Sequence, residues 1–224
     1  MNECMSSNNV NGLCEQSLMQ KETEFGKGSD GRSRVSVVSF NGLMSDFCRM
    51  GCVDGAKSVL GVMLKYGLHP DTYSYNIMIN GLCAFGPMEE AVGFADDMER
   101  NGVEPDTFIY NILMKGLQRL GLMSEAHRVL REMMQKGLQP DLVTCTTLIC
   151  GHYQVGNIEE AMRLRDEMLS RGLHPTINLY SVLLSSLCKI GQLNKVILLF
   201  NEMDAVGCFL YHSNKSHLQR KEMD

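Results

Sequence analysis

Residues 72–106 read TYSYNIMINGLCAFGPMEEAVGFADDMERNGVEPD, and this stretch decides the fold. Its first part, TYSYNIMINGLCAF (72–85), is apolar at helical spacing and stops at Gly86, which is expected to take the left-handed conformation of a helix C-terminus. The second part, PMEEAVGFADDMERNG (87–102), offers Pro87 for a first helical position, with Glu89 and Glu90 in the first turn, where the helix macrodipole favours acids. The stretch is therefore expected to form a helical hairpin ending near Gly102 and Pro105.

The same pattern returns along the chain at a constant step of 35 residues. Proline recurs at 70, 105, 140 and 175, and glycine at 51, 86, 121, 156 and 191 and again at 67, 102, 137, 172 and 207. Methionine recurs at 63, 98, 133, 168 and 203, and alanine at 56, 91, 126 and 161, with Val196 fifth. Five units follow: 37–71, 72–106, 107–141, 142–176 and 177–211. In the fourth, Asn157 and Glu160 have the spacing of a capping box. A single hairpin cannot bury its apolar stripe, so neighbours must stack. The predicted fold is all-α, a right-handed superhelical solenoid of five helix-turn-helix repeats with one concave and one convex surface.

The flanks depart from the period. Residues 1–36 contain NGLC (11–14), an echo of NGLC (80–83), followed by KETEFGKGSDGRSR with no apolar stripe, and read as mostly disordered or as a decayed repeat. The fifth unit is degenerate at its end, with Leu210 and Tyr211 in place of proline and Asp or Thr, and 212–224 is a polar tail. Glu3, Glu15, Glu22 and Glu24 precede the first arginine, Arg32, so no organellar transit peptide is readable.

Composition narrows the partners. The 224 residues are 44% hydrophobic and 21% charged, too apolar for a wholly disordered chain, and no apolar run approaches the roughly 18 residues needed to span a bilayer. No membrane partner is expected. With 21 Lys and Arg against 26 Asp and Glu, the net charge of -5 argues against a partner held by a global positive field, so any nucleic acid must be held locally. The nine cysteines are odd in number and form no staple pattern.

The repeated stretches YNIMINGLC, YNILMKGLQ and YSVLLSSLC in first helices, EEAVGFADDM, SEAHRVLREM and EEAMRLRDEM in second helices, and GVEPD, GLQPD and GLHPT at unit ends closely resemble the pentatricopeptide repeat family, in its pure 35-residue type found mainly in plant organellar proteins. The resemblance covers 37–211. The tetratricopeptide repeat, with a step of about 34 and a Trp/Tyr-based first helix, fits less well. Membership implies binding of single-stranded RNA, one base per repeat. The fifth residue of each repeat is implied to face the base edge and the last to support it: Asn41 with Asp71, Asn76 with Asp106, Asn111 with Asp141, Thr146 with Thr176, and Ser181 with Tyr211. The first three pairings imply uracil, and Thr146 and Ser181 imply purines, so the implied tract is U-U-U-purine with a poorly specified fifth base. A carboxamide offers both donor and acceptor to a base, and a nearby carboxylate can fix its orientation. The second residues, Val38, Tyr73, Phe108 and Val143, are implied to stack on bases, with Asn178 a departure. Mitochondrion or chloroplast is the implied location, and RNA processing, stability or translation the implied role.

Charge supports this independently of the family. First-helix windows carry Arg49, Lys115, Arg119 and Lys189 against Asp46, a net of +3, and these four are the candidate phosphate contacts. Second-helix windows sum to -4, led by Glu89, Glu90, Asp96, Asp97 and Glu99, an acidic face open to protein partners. Each Asp at a unit end is also a good helix N-cap with or without RNA. The rings Phe40, Tyr75, Tyr110 and Tyr180 are expected in the core, as are Cys48, Cys83 and Cys188. Cys208, His212 and His217 make no complete metal site, and no cofactor is expected. No nucleophile with a base, phosphate loop or paired acids points to an enzyme. The alternative reading is a non-catalytic protein scaffold, or a truncated repeat fragment of little RNA specificity. The LLSSLC and VILLF segments (183–188 and 196–200) are expected to leave apolar surface open to self-association.

Overall fold

Asp71, Asp106 and Asp141 each open a helix by accepting a hydrogen bond from the backbone N–H three residues on, at 2.8, 3.0 and 2.8 Å. The computed structural model describes residues 36–189 and 191–205, and among them every regular element is an α-helix. In chain order these are α1 (Val37–Arg49), α2 (Val53–Lys65), α3 (Thr72–Phe85), α4 (Met88–Arg100), α5 (Thr107–Arg119), α6 (Met123–Gln135), α7 (Leu142–Gln154), α8 (Ile158–Ser170), α9 (Ile177–Lys189) and α10 (Leu193–Ala205). None of the described helices is long and apolar enough to cross a membrane. The readings of residues 1–35 and of Gly207, Cys208, Leu210, Tyr211, His212 and His217 lie outside the described residues.

Left-handed glycines end most helices: Gly51, Gly121, Gly156 and Gly191 after first helices, Gly67, Gly102, Gly137 and Gly172 after second ones. Gly86 corrects the expectation. It is extended, with φ -109° and ψ -175°, because it precedes Pro87, whose ring disfavours helical conformations in the residue before it. Pro87 likewise is not the first helical residue but the N-cap of α4, at ψ 134°. At the expected box in the fourth repeat, Asn157 Oδ1 accepts from Glu160 N at 3.3 Å, and the Glu160 carboxylate binds Arg163 at 2.6 Å.

The helices form two compact units, one from residues 36–120 with 125–139, the other from 121–124 with the described residues from 140 onward. In the first, α1 packs on α2 and α3, and α3 on α4 and α5. Phe40, Met44, Met63, Met78, Ile79, Leu82, Ala91, Met98 and Met114 are fully buried there. In the second, α7 packs on α8 and α9, and α9 on α10, around Ile149, Ala161, Met168, Tyr180, Leu183, Leu187 and Leu199. The repeated methionines, alanines and rings thus form cores, as the period requires. Neighbouring first helices approach closely through glycines: a Cβ on Gly81 would stand 2.5 Å from Cys48 Sγ, and one on Gly116 would stand 3.0 Å from Cys83 Sγ. Burial pushes the Cys48 and Cys83 thiols up to about 11 and about 12, which leaves them packed and unreactive. Cys188, at the same repeat position, is exposed, against expectation.

Several second-helix charges are paired while staying partly exposed. Lys57 of α2 pairs with Glu90 of α4, Lys136 just beyond α6 pairs with Glu99 of α4, and Arg100 holds Asp97 at 2.7 Å. Three of the five acids expected to form an acidic face therefore have cationic partners within the first unit. In the second unit Arg165 of α8 reaches Glu202 of α10 at 3.2 Å.

Candidate nucleic-acid interface

The first turns of the first helices carry the two kinds of side chain that a base reader needs. At the second repeat position, Val38, Tyr73, Phe108 and Val143 are 77%, 60%, 58% and 54% exposed. A lone exposed apolar residue means little, but recurrence at one position in four hairpins does not arise from core packing. The exposed Phe85, by contrast, has a structural partner, its ring lying 3.6 Å from where a Cβ of Gly51 would stand.

At the fifth position, Asn41 is 3% exposed and joined to the next hairpin. Its Nδ2 donates to Asp71 Oδ1 at 3.2 Å, and its Oδ1 accepts from the Ser74 hydroxyl at 2.7 Å. Ser74 also closes a capping box with Asp71, whose N–H donates to Ser74 Oγ at 3.2 Å. The residues named by the family pairing thus meet across 30 positions of chain, by way of a serine that the sequence reading missed. Its signal was the capping-box spacing at 71–74. Partial burial opposes the charge on Asp71, but the Ser74 backbone and hydroxyl donors and the Asn41 amide outweigh it, holding the carboxyl below its usual value. The lowered value means that the ionised cap stabilises fully above the unfolded carboxyl pKa of about 3.9 and loses that contribution as pH falls through the folded value. Against Asp71→Asn, wild type should be the more stable near neutrality, and the gap should close on acidification; paired urea titrations at successive pH values measure it.

The remaining pairs differ. Asn76 is half-buried, its Oδ1 is shut off from solvent without a hydrogen-bond partner, and Asp106 Oδ1 accepts from Ile109 N. Asn111 is buried in the first unit, and Asp141 in the second caps α7 in a box with Thr144. Thr146 is half-buried, and Thr176 Oγ1 accepts from Leu179 N at 3.3 Å. Ser181 is exposed, and its hydroxyl donates to Ile177 O one turn back at 2.9 Å. Tyr211 lies outside the described residues.

Of the candidate phosphate contacts, Arg49 is already paired with Asp46 on its own helix. Lys115 and Lys189 are exposed. Arg119 donates to Cys83 O and Ala84 O at 3.4 Å each, which anchors the guanidinium at the end of α3 without neutralising it.

Fold and site together define a helical-hairpin repeat protein whose first helices display a recurrent apolar position beside recurrent amides. Family models described as the PPR repeat family match residues 35–84, 74–119, 105–152 and 140–189, and a further PPR repeat model matches 179–208. The chain belongs to the pentatricopeptide repeat family. Among solved structures it is similar to the pentatricopeptide repeat protein PPR10 in complex with an 18-nt psaJ RNA element, at 23% identity and TM-score 0.71 over 90% of this chain and 30% of that one. PPR10 from maize matches at 24% identity and TM-score 0.68, over 93% and 32%. The PPR domain of Arabidopsis thaliana protein-only RNase P 1 in complex with tRNA matches at 14% identity and TM-score 0.60, over 81% of this chain and 95% of that one. The chain therefore spans about a third of the length of PPR10. No curated protein gives a significant sequence match.

Proposed function

We propose that the chain binds single-stranded RNA with one base per repeat, reading U-U-U-purine from the first repeat onward. The observation that carries this reading is the exposed apolar position on the first turn of the first four first helices, set in the first three of them three residues before the amides of Asn41, Asn76 and Asn111. Bases stacking on Tyr73 and Phe108 present their Watson–Crick edges to those amides. Lys115, Arg119 and Lys189 supply a few phosphate contacts, so the salt dependence is shallow, at about 0.7 per phosphate neutralised. The likeness to PPR10 bound to an RNA element supports the same reading. Its role is that of a binding protein in organellar RNA processing, stability or translation, in mitochondrion or chloroplast, rather than an enzyme. The internal pairing of Glu90, Asp97 and Glu99 makes the acidic-face scaffold the weaker alternative.

The test is binding of the chain to short RNAs containing UUUA, UUUG, UGGA or CCCA at two salt concentrations, beside Asn76→Thr/Asn111→Thr. Wild type should prefer UUU, and the variant should move toward UGG, as the family pairing of Thr with Asp implies. If neither protein distinguishes these RNAs while both remain helical, base reading is wrong.

Self-association belongs to the same proposal, with a second copy as the occupant. Leu183 and Leu187 are buried, contrary to expectation, but Ile197, Leu198 and Phe200 of α10 are exposed. Sedimentation at tens of micromolar should show a dimer that Leu198→Lys dissociates, and a strictly monomeric wild type would refute it.

A further inference from the structure

The first two repeats carry the same pair, Asn with Asp, yet their amides are in different states. In the first, Ser74 Oγ stands 2.7 Å from Asn41 Oδ1 and 2.8 Å from Asp71 Oδ1. Asp71 Oδ1 already receives the Asn41 Nδ2 and Ser74 N–H groups, and Ser74 has the hydroxyl donor in front of Asn41 Oδ1. Whichever acceptor holds that proton, the hydroxyl oxygen stands within hydrogen-bonding distance of Asn41 Oδ1 and crowds that side of it. In the second repeat the matching residue of the next helix is Ile109, fully buried and without a side-chain donor. Asn76 Oδ1 has no hydrogen-bond partner. A buried unpaired carbonyl is costly, and a donor from a ligand relieves that cost. Asn76 is only half-buried, and the terminal torsion of asparagine is soft, so a small rotation brings the oxygen to an incoming base.

We infer that the third residue of the following helix sets how strongly each repeat reads its base: Ser74 engages the carbonyl oxygen of Asn41 and weakens the first repeat, while Ile109 leaves that of Asn76 without a donor and strengthens the second. This rests on the RNA-reading proposal and deepens it. Uracil offers N3–H beside O4, so an amide with a free carbonyl makes a two-point contact, and one with its carbonyl taken makes a single contact through Nδ2. Ser74 is thus a positioning residue that acts through Asn41.

Wild type, Ser74→Ala and Ser74→Thr are compared by fluorescence anisotropy on RNAs in which the uracil opposite the first or the second repeat is replaced by adenine. Opposite the second repeat the replacement should weaken binding about tenfold in all three, the discrimination of one two-point contact. Opposite the first it should cost about threefold in wild type and Ser74→Thr, in keeping with one hydrogen bond, and rise to about tenfold in Ser74→Ala. A first-repeat preference that stays near threefold in a folded Ser74→Ala overturns the inference, as does one that rises equally in Ser74→Thr. In either case the tenfold preference at the second repeat leaves the RNA-reading proposal standing. Absence of preference at both positions in every protein overturns reading and inference together. Should Ser74→Ala fail to fold, Ile109→Thr provides the reverse test: it places a hydroxyl at the Asn76 position and should lower the second-repeat preference toward threefold, and an unchanged tenfold preference overturns the inference.

Discussion

Replacing Tyr73 and Phe108 together by alanine should weaken binding of a UUU-containing single strand by about two orders of magnitude. Stacking of a base on an aromatic ring is worth about 1–3 kcal/mol, and two rings at about 1.4 kcal/mol each, in the lower half of that range, give about a hundredfold at about 1.4 kcal/mol per decade. Both rings are more than half exposed on the first turns of α3 and α5, so their loss should leave stability within about 0.5 kcal/mol of wild type. Neither change touches the amides, so the surviving binding should keep its preference for uracil over purine while losing strength for every sequence. Anisotropy titrations with thermal melts in parallel separate these effects. An affinity within threefold of wild type in a folded variant would show that the exposed rings do not meet the RNA.

Phe40→Ala should have the largest effect on stability, about 3–5 kcal/mol, the cost of truncating a fully buried aromatic side chain. Phe40 has no exposed surface and packs its ring 5.9 Å from that of Tyr66, tilted by 57°, where α1 meets the end of α2. Val38, two residues earlier on the same helix, is 77% exposed, and Val38→Ala should change stability by less than about 0.5 kcal/mol. Urea unfolding followed by circular dichroism compares the two. Equal losses would mean that the second and fourth repeat positions do not divide between surface and core as described.

Much of the fold was legible because each repeat meets nearly the same environment, so core positions recur in register: Met63, Met98, Met133, Met168 and Met203 are all buried. Even the conformation of Gly86 was available, since Pro87 follows it, although the glycine period concealed the rule for residues before proline. Asp106 illustrates a function-neutral signal, a cap that α5 requires whatever the protein binds.

The hairpin period, the helix boundaries marked by Asp and Gly, the core ladders and the family are all written in the order of residues, because these depend on local propensity and on a spacing of apolar residues that repetition amplifies. Only the tertiary structure decided which polar groups meet. Lys57 with Glu90, Lys136 with Glu99, and Ser74 with Asn41 join different hairpins, and such pairings depend on the packing of helix against helix, which places side chains about one repeat apart within hydrogen-bonding distance. Two asparagines at the same repeat position, each followed by an aspartate at the end of its repeat, thereby acquire different chemistry, one with its carbonyl oxygen hydrogen-bonded and one without a partner.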